Sequence, residues 1–501
     1  MVWHAPSSLN IADYFLFDRV SEGNGDRIAI RSDQGSLTYR QVAALATGLR
    51  MRLRDEGIQP EDRVLIALPD GPEFAATMFG ILAAGGLAVM INPELRPEHL
   101  AAILDATAAP LAVVAPAYLP VLEEAIALGQ ARPRLLELAE GGIAAATGAP
   151  HSYPTASDAP AIWLFSGGTT GVPKIVVQSH RSFANTTELY AKATLGYGPE
   201  DITISVPRLY FGYATGSNLF FPFAVGASTV LFPDRPTLEV LVDQIKRHRP
   251  TILITAPSAI NAMASDPNVA SADLASLRFV TSAGEPLPET VYQRWIDRFG
   301  VELLDGLGTA EMWHIFVTNR PGDVRAGTVG RAVNGFDVRA RDETGVDVAP
   351  DEVGRMWVKG DSLGLGYWNL PDENREAFRE GWFVSSDLIS VDADGYVTHR
   401  GRADDAIKVK GKWFRPQELE SCLLEHPAVK ECAVVALEDD DGLLKPVAFV
   451  VASQPVEESE LRQHVLERLE PYKHPRRVIF VESMPLTHLG KVDRGRLRRE
   501  A

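Results

Sequence analysis

The sequence predicts an α/β protein in two parts: a large N-terminal part of parallel α/β units that ends in a β-rich segment, and a small α+β part at the C-terminus. Three observations predict this architecture. The chain has 501 residues, more than one ordinary core requires. Strand and helix patterns alternate over the first three hundred residues, and glycines with short apolar segments follow after about Gly327. Strands separated by helical crossovers favour parallel sheets.

The alternation starts with a well-marked helix. Thr38 and Gln41 fit a capping box, apolar residues then recur at helical spacing as far as Leu53, and Gly57 ends the helix. The stretch 139–160, rich in Ala, Gly, Pro and Ser, predicts a loop. The other predicted elements are strands at 64–68, 111–115, 162–165, 251–255, 277–282 and 301–305, and helices at 72–84, 181–192 and 288–299.

The last hundred residues have a pattern of their own. After a charged turn near Gly401, the sequence predicts a helix at 416–425, strands at 433–437 and 446–451, and a helix at 457–469. This pattern is typical of a small α+β domain. We therefore expect two domains, 1–402 and 403–501.

Composition disfavours several classes of function. Acidic residues outnumber basic ones by 66 to 49, and a formal net charge of −17 argues against binding nucleic acid or an anionic membrane. The N-terminus has no basic region before an apolar stretch, and the longest apolar run, near 79–91, is too short to span a bilayer. The two cysteines fit reduced thiols better than a disulfide or a metal site, so we expect a cytoplasmic protein.

The strongest chemical signal is SGGTTGVPK, residues 166–174, directly after a predicted strand. Its glycines let the backbone approach a phosphate closely, the hydroxyls of Ser166, Thr169 and Thr170 can donate to phosphate oxygens, and Lys174 adds positive charge. A Walker loop would instead carry Gly-Lys-Ser/Thr at the opening of a helix. The alternative is a flexible linker, but linkers seldom show this order of hydroxyls, proline and lysine after a buried strand.

Four further segments follow this loop in chain order. They are DGLGTAE at 305–311, FVSSD at 383–387, GRADDAIKVKG at 401–411 and PLTHLGK at 485–491. Together with the loop, they resemble the motifs of the adenylate-forming superfamily of acyl-CoA synthetases, peptide-synthetase adenylation domains and luciferases. The resemblance extends over nearly the whole chain, and it implies a small C-terminal domain that is mobile.

The resemblance also implies roles for individual residues. Glu311 would hold Mg²⁺ on the phosphates, for which a carboxylate is a suitable hard ligand. Lys491 would be the lysine of the adenylation step, with Thr169 as a further catalytic residue of the loop. Asp305 would accept from the adenine amino group, and Asp387 would bind the ribose hydroxyls. The ATP- or AMP-binding set implied is Ser166, Gly167, Gly168, Thr170, Gly171, Lys174, Glu285, Asp305, Thr309, Asp387 and Arg402.

The sequence departs from the family pattern at three positions. Ala310 replaces a phosphate-binding Thr, although the neighbouring Thr309 could substitute for it. Ser386 replaces a Gly, and Ile175 follows the loop lysine where Gly is common. Ala310 bears most directly on the phosphate contacts.

The resemblance implies a reaction in two steps. The acid first reacts with ATP to give an acyl-adenylate, and the acyl group then passes to the thiol of coenzyme A. Between the steps, the small domain would rotate about the hinge Asp404, withdraw Lys491 and present the loop that contains Lys410 and Gly411. Further contacts with coenzyme A would come from Tyr472, Lys473, His474 and Arg476.

The acid is predicted from two segments, RLYFGYATG at 208–216 and the stretch from Asp305 to Phe316, which most resemble benzoate-type aryl-CoA ligases. Aromatic walls suit a flat ring. Phe211 would gate the thiol tunnel, Tyr213 would line the acyl pocket, and His314 would meet a ring substituent or the carboxylate. Gly284 and Gly308 would leave room for the ring. Ala283, Gly284 and Leu307 are added by position alone. The alternative is that these aromatic residues only pack in the core.

Two other functions stay open at this point. In one, the acyl group goes to the phosphopantetheine of a separate carrier protein, since the sequence carries no carrier domain after Lys491. In the other, a nucleotide-binding protein has lost catalysis, as Ala310 would suggest. Against it stand the retained residues Lys174, Glu311, Asp387, Arg402 and Lys491. A metal hydrolase is disfavoured, because the eleven histidines show no H-E-x-x-H spacing. A homodimer is the general expectation for a soluble enzyme.

Overall fold

The computed structural model describes residues 3–146, 152–166, 174–403, 407–409, 412–414, 416–438, 444–485 and 492–500. The strands are β1 (Ile28–Ser32), β2 (Gly35–Thr38), β3 (Arg63–Ala67), β4 (Leu87–Met90), β5 (Leu111–Val114), β6 (Arg134–Glu137), β7 (Pro160–Ser166), β8 (Lys174–Ser179), β9 (Ile202–Ser205), β10 (Ser228–Val230), β11 (Ile252–Thr255), β12 (Phe279–Ser282), β13 (Glu302–Gly308), β14 (Ile315–Thr318), β15 (Arg331–Ala332), β16 (Asp337–Arg341), β17 (Val353–Lys359), β18 (Gly366–Tyr367), β19 (Phe378–Arg379), β20 (Trp382–Val391), β21 (Val397–Arg402), β22 (Ile407–Val409), β23 (Lys412–Phe414), β24 (Val429–Glu438), β25 (Leu444–Ala452) and β26 (Arg477–Phe480).

The α-helices carry the crossovers between many of these strands. They are α1 (Tyr39–Asp55), α2 (Pro72–Ala83), α3 (Pro97–Thr107), α4 (Leu119–Leu128), α5 (His180–Thr186), α6 (Gly212–Thr215), α7 (Phe221–Ala224), α8 (Leu238–His248), α9 (Pro257–Ser265), α10 (Glu289–Phe299), α11 (Pro371–Ala377), α12 (Pro416–Leu424), α13 (Glu458–Leu466) and α14 (Arg494–Glu500). Within the ranges given above, no helix is long and apolar enough to cross a membrane.

Two large mixed sheets make up most of the N-terminal part. One has nine strands in the order β15-β14-β13-β12-β11-β9-β10-β1-β2, and the other has seven in the order β18-β8-β7-β4-β3-β5-β6. Their interior neighbours are parallel, as predicted. The edges differ, because β2, β8 and β14 run antiparallel to the strand that precedes each of them. In the described part of the chain, no α-helix lies between β1 and β2 or between β13 and β14, so the chain turns back there instead of crossing over.

One large buried cluster joins the two sheets. It includes Ile66 of β3, Ile254 of β11 and a group of phenylalanines. Phe220 stacks on Phe15 with ring centroids 4.4 Å apart. Because both sheets contribute to this core, the ends of their strands are fixed relative to one another.

The β-rich segment after Gly327 and the α+β C-terminal part are both confirmed. The first is an antiparallel sheet of β16, β17, β19, β20 and β21. The second is the sheet β24-β25-β26, whose core contains Leu419, Leu423 and Leu461 of α12 and α13. In this C-terminal part, β26 and α14 were not predicted from the sequence. Strand β26 is parallel to β25 and follows α13, which forms the crossover.

Individual elements agree with the predictions to within a few residues, with two differences. The capping box of Thr38 and Gln41 is present at the start of α1. The helix predicted at 181–192 is an α-helix only as far as Thr186 and continues as a π-helix over Thr187–Lys192. A hydrophobic pattern does not distinguish these two helix types over so short a segment. Strand β7 begins at Pro160, the last residue of the predicted loop.

Candidate active site

Four parallel strands end at the candidate site. Strands β9, β11, β12 and β13 are neighbours with a common direction, so their carboxyl ends lie at one edge, where open α/β sheets bind ligands. Asp305 on β13 is paired in register with Ser282 on β12. The structure therefore brings two groups of predicted residues to adjacent strand ends, namely Ala283, Gly284 and Glu285 after β12, and Leu307 and Gly308 on β13.

Asp305 is a buried carboxylate, with 7% of its surface exposed. Its Oδ1 atom has no hydrogen-bond partner among the described residues. Burial raises the pKa of Asp305 to about 7. A buried acceptor without a protein partner is costly, and a ligand amino group would satisfy it.

The two strands that flank the phosphate-loop candidate, β7 and β8, are paired antiparallel. Ser166 and Lys174 are paired in register where β7 and β8 meet the loop. Lys174, the last residue of the motif, begins strand β8. A Walker loop would instead be followed by a helix, so the prediction that this is not a Walker loop is confirmed. Five of the predicted loop residues lie outside the described residues, namely Gly167, Gly168, Thr169, Thr170 and Gly171.

Tyr367 connects the loop lysine with Glu311. Its hydroxyl donates to Oε1 of Glu311 at 2.8 Å, and Nζ of Lys174 lies 4.9 Å from the centroid of its ring. Burial and then the charge of Glu311 raise the pKa of Tyr367 well above its ordinary value, so the hydroxyl remains a donor. Sequence reasoning missed Tyr367, because it reaches the site through the pairing of β18 with β8, which no local motif signals.

Glu311 is the candidate magnesium ligand. It lies in the 3-10 turn Ala310–Met312 and is 4% exposed. The described residues contain no cluster of three or more His, Cys, Asp or Glu that could hold a metal alone. Mg²⁺ commonly binds one or two carboxylates together with waters and substrate phosphates. One buried carboxylate linked through Tyr367 to a phosphate-loop lysine fits that mode of binding.

The substitution at Ala310 leaves a hydroxyl donor next to Glu311. The Thr309 hydroxyl oxygen accepts from the Met312 amide at 3.3 Å and thereby caps the 3-10 turn. Because the oxygen is the acceptor in this bond, its hydrogen stays available for a phosphate oxygen. The carbonyl of Ala310 accepts from Nε2 of Gln178 at 2.7 Å, which ties the turn to β8.

Asp387 is held as a carboxylate by its surroundings. Ser385 donates to its Oδ2 at 2.6 Å, Nε2 of His399 lies 3.3 Å from Oδ1, and Arg402 on the paired strand β21 lies 3.9 Å from Oδ1. Burial alone would raise the pKa of Asp387, but the bonds and charges of His399 and Arg402, and then Ser385, hold it well below its usual range. An ionised carboxylate suits a pair of ribose hydroxyls as an acceptor. His399 was not predicted.

The acyl-pocket candidates form a connected group. The Tyr213 hydroxyl donates to Oγ1 of Thr281 on β12 at 2.8 Å, and the Tyr213 ring lies 5.4 Å from the ring of His314. His314 is 3% exposed, and its Nε2 lies 3.1 Å from both the Tyr213 carbonyl and Oγ of Ser217. Burial lowers the pKa of His314 to about 3, so the ring is neutral.

This geometry assigns the protonation state of His314. A carbonyl oxygen can only accept, so Nε2 carries the hydrogen and Nδ1 is an acceptor. Nδ1 is buried and has no partner in the described part of the chain. The histidine can therefore receive a hydrogen bond from a donor at Nδ1.

The two pocket glycines have backbone reasons for being glycine. Gly284 has a φ of +93°, which disfavours other residues, and a Cβ there would meet nothing within 4 Å. At Gly308, a Cβ would lie 2.4 Å from the carbonyl oxygen of His314, so the close approach of β13 to that backbone requires glycine. These backbone constraints are separate from the prediction that the two glycines leave room for a substrate ring. Phe211 is half-buried and precedes α6.

The C-terminal residues are only partly described. Asp404, Lys410, Gly411 and Lys491 lie outside the described residues. Among the predicted coenzyme A contacts, Tyr472 is half-buried and Arg476 is exposed. The other two are engaged within the small domain: Nε2 of His474 lies 3.2 Å from the Arg462 carbonyl, and Lys473 pairs with Glu418 at 2.5 Å and Glu470 at 2.8 Å.

Comparisons with known proteins agree with this arrangement. The family described as AMP-binding enzyme matches residues 17–368, and the AMP-binding enzyme C-terminal domain matches residues 418–491. A benzoate–CoA ligase of Thauera aromatica is 38% identical over 510 residues, covering 98% of this chain and 96% of its own.

Two solved structures are similar over their full length. A benzoate CoA ligase from Burkholderia xenovorans LB400 has a TM-score of 0.90 and 35% identity, covering 98% of this chain and 100% of the other. An anthranilate CoA ligase in complex with anthranoyl-AMP has a TM-score of 0.92 and 32% identity, covering 99% of this chain and 98% of the other. The resemblance inferred from the motifs is thus confirmed, and the chain belongs to the AMP-binding enzyme family.

Proposed function

We propose that this protein is an AMP-forming aryl-CoA ligase, which activates a benzoate-like acid with ATP and transfers the acyl group to coenzyme A. The observation that carries the proposal is the linkage of Lys174, Tyr367 and Glu311 beside the strand ends that hold Asp305. It occurs in a chain similar over its full length to a benzoate–CoA ligase.

In the first step, a carboxylate oxygen of the acid attacks the α-phosphorus of ATP, and the bond to the β-phosphate oxygen breaks. Pyrophosphate leaves, and the acid has gained AMP as a leaving group in place of oxide. Negative charge builds on the phosphoryl oxygens, where Lys174, the hydroxyl of Thr309 and Lys491 would stabilise it. A magnesium ion bound by Glu311 would supply further positive charge.

In the second step, the thiol of coenzyme A attacks the acyl carbon, its proton is lost to solvent, and AMP leaves with the bonding electrons. We propose that domain 403–501 turns about Asp404 relative to domain 1–402, so that Lys491 withdraws and the loop with Lys410 and Gly411 approaches the thiol path. Arg476 is exposed, whereas Lys473 is paired with Glu418, so Arg476 would meet the anionic nucleotide of coenzyme A more readily than Lys473.

The choice of an aryl acid is supported by the pocket candidates. Tyr213 and His314 present rings 5.4 Å apart, and a flat substrate ring packs favourably against such walls. Nδ1 of neutral His314 would also accept from a ring hydroxyl or amino group. The anthranilate ligase relative, whose structure contains anthranoyl-AMP, acts on an acid with such a group.

A panel of acids and acceptors tests the proposal. Benzoate, hydroxy- and aminobenzoates, cinnamates, alicyclic acids and short fatty acids would be supplied with ATP, Mg²⁺ and either coenzyme A or a phosphopantetheine-loaded carrier protein. Aryl-CoA and AMP in equal amounts are expected. Transfer to the carrier but not to coenzyme A would favour the carrier-loading alternative. ATP binding without turnover of any acid would favour the non-catalytic one. Sedimentation of the same sample would test the expected homodimer.

Tyr367→Phe tests the link between Lys174 and Glu311. The variant keeps the ring under Lys174 and loses only the hydroxyl that donates to Glu311, so we expect adenylation to fall about tenfold. Acid-dependent pyrophosphate exchange measures this rate. Tyr396→Phe is the matched control, because the Tyr396 hydroxyl donates to Asp323 at 2.6 Å outside the candidate site. Equal exchange rates for the two variants would show that the Tyr367 hydroxyl does not contribute to adenylation.

The raised pKa of Asp305 predicts a pH dependence for ATP binding. If the carboxylate form accepts from the adenine amino group, KM for ATP should fall about tenfold between pH 6 and pH 8, as the fraction of ionised Asp305 rises through its pKa of about 7. Asp387 stays ionised over this range, because its pKa is held low. Asp305→Asn should lose the part of the pH dependence that comes from Asp305. Any change of KM with pH that remains in this variant measures the titration of ATP itself. A wild-type KM that does not change with pH would contradict the prediction.

A further inference from the structure

A buried carboxylate lies at the end of β3, in the other large sheet from Asp305. Asp70, in the turn between β3 and α2, is 6% exposed. Both of its oxygens accept from the backbone amide of Leu209, at 3.0 and 3.2 Å. Burying a carboxylate costs free energy unless it is well paired. The buried carboxylate of Asp70, bonded to the distant Leu209, is therefore a candidate for a specific role.

Arg208 completes the arrangement. Its Nη1 lies 3.8 Å from Oδ2 of Asp70 and donates to the Phe232 carbonyl at 2.8 Å. Nη2 donates to the carbonyl of Pro233 at 3.0 Å and to that of Asp234. The segment that begins at Arg208 is therefore held from two sides, by the turn after β3 of one sheet and by the loop after β10 of the other.

These contacts determine the position of Phe211. Its amide donates to the Arg208 carbonyl at 2.9 Å, and its carbonyl accepts from the Thr215 hydroxyl at 3.1 Å. The same hydroxyl lies within hydrogen-bond distance of the Leu209 carbonyl, so its single hydrogen is shared between the two carbonyls. The Phe211 amide and the Thr215 hydroxyl thus both refer back to the two residues that Asp70 contacts. The Thr215 amide, which donates to the Phe211 carbonyl at 2.9 Å, adds a bond to α6.

We propose that Asp70 is a positioning residue: by holding Leu209 and Arg208, it sets the place of Phe211 beside the acyl pocket and the thiol path. The proposal rests on the proposed function for the role of Phe211. Asp70 would make no contact with substrate and would act only through the segment from Arg208 to Phe211. Its loss should impair acid binding and thiol transfer, with no effect on the nucleotide.

Asp70→Ala and Asp70→Asn test this inference. Asparagine retains an acceptor for the Leu209 amide but removes the charge opposite Arg208. We expect alanine to raise KM for the aryl acid or slow thioester formation about tenfold or more, because a small misplacement of a pocket wall has large effects. Asparagine should give a smaller change, and KM for ATP should stay within about twofold of wild type in both.

Asp201→Asn is the matched control. Asp201 is also buried, at 5% exposed, pairs with Arg278 at 2.8 Å and accepts from the Gly198 amide at 2.9 Å. It precedes β9, whereas Arg208 and Phe211 follow that strand, so it lies at the opposite end. We expect Asp201→Asn to affect thermal stability without a selective effect on the acid. A parallel rise of KM for acid and ATP in the Asp70 variants would show a general loss of structure and overturn the inference.

A double-mutant cycle with Phe211→Ala identifies the route. If Asp70 acts through Phe211, adding Asp70→Ala to Phe211→Ala should change KM for the acid no further. Full additivity of the two effects would contradict the inference. Amide hydrogen exchange over residues 207–213 gives a readout that needs no activity, so it separates this inference from the proposed function. Exchange about tenfold faster in Asp70→Asn or Asp70→Ala is expected, and unchanged exchange would overturn the inference even if no acid is turned over.

Discussion

Glu311→Gln is expected to lower acid-dependent pyrophosphate exchange about a hundred- to a thousandfold, because the substitution removes the charge that would hold magnesium on the phosphates. The amide is nearly isosteric with the carboxylate and can still accept from the Tyr367 hydroxyl, so the fold should be retained. The variant should also require more Mg²⁺ for half-maximal rate. Exchange measured across a magnesium titration, together with the thermal midpoint of unfolding, checks both expectations.

Glu124→Gln is the control for this variant. Glu124 is exposed on α4 and has no assigned role, so its exchange rate should equal that of wild type. If Glu311→Gln retained wild-type exchange at limiting Mg²⁺, the assignment of Glu311 as the magnesium ligand would be wrong, and Thr309 and Lys174 would have to account for the phosphate contacts.

Lys491→Ala is expected to have the second large effect, and on one step only. Removing the lysine that would stabilise charge on the reacting phosphate should slow adenylation about a hundredfold or more. Thioester formation from chemically synthesised acyl-adenylate should stay within about twofold of wild type, because the proposed rotation would withdraw Lys491 from the site in that step. Two assays on one variant, pyrophosphate exchange and aryl-CoA release from the supplied adenylate, check the separation.

Lys430→Ala is the control, since Lys430 is an exposed lysine of the same C-terminal part. Loss of both steps in Lys491→Ala would contradict the proposed alternation of the domain and would favour a lysine that serves both reactions. Retention of adenylation would remove Lys491 from the first step. A protein that only binds nucleotide would show no difference between these two variants.

Much of the fold could be predicted from local sequence patterns. The capping box at Thr38, the alternation of strands and helices, and the change of pattern after Gly327 each depend on short stretches of chain, and the structure confirms them. The antiparallel edges were missed, because β8 and β14 pair with strands that directly precede them and resemble buried parallel strands in composition. Strand β26 was missed because its four residues, Arg477–Phe480, alternate too briefly to form a recognisable pattern.

The site could be predicted where a motif carries the residue. Asp305, Glu311 and Asp387 lie in contiguous segments that resemble those of the family, so each could be proposed as a site residue from the sequence. Tyr367 and Asp70 could not be found in this way, because their partners lie 56 and 139 positions away along the chain. Only the pairing of β18 with β8 and the packing of the two large sheets bring them to the site.

The central claim, that this chain adenylates an aryl acid, is tested most directly by exchange of labelled pyrophosphate into ATP with benzoate as the acid and no thiol present. We expect exchange that depends on both benzoate and Mg²⁺, and hydroxy- or aminobenzoates should support it as well. Exchange that is absent with every aryl acid, from folded protein that still binds ATP, would contradict it.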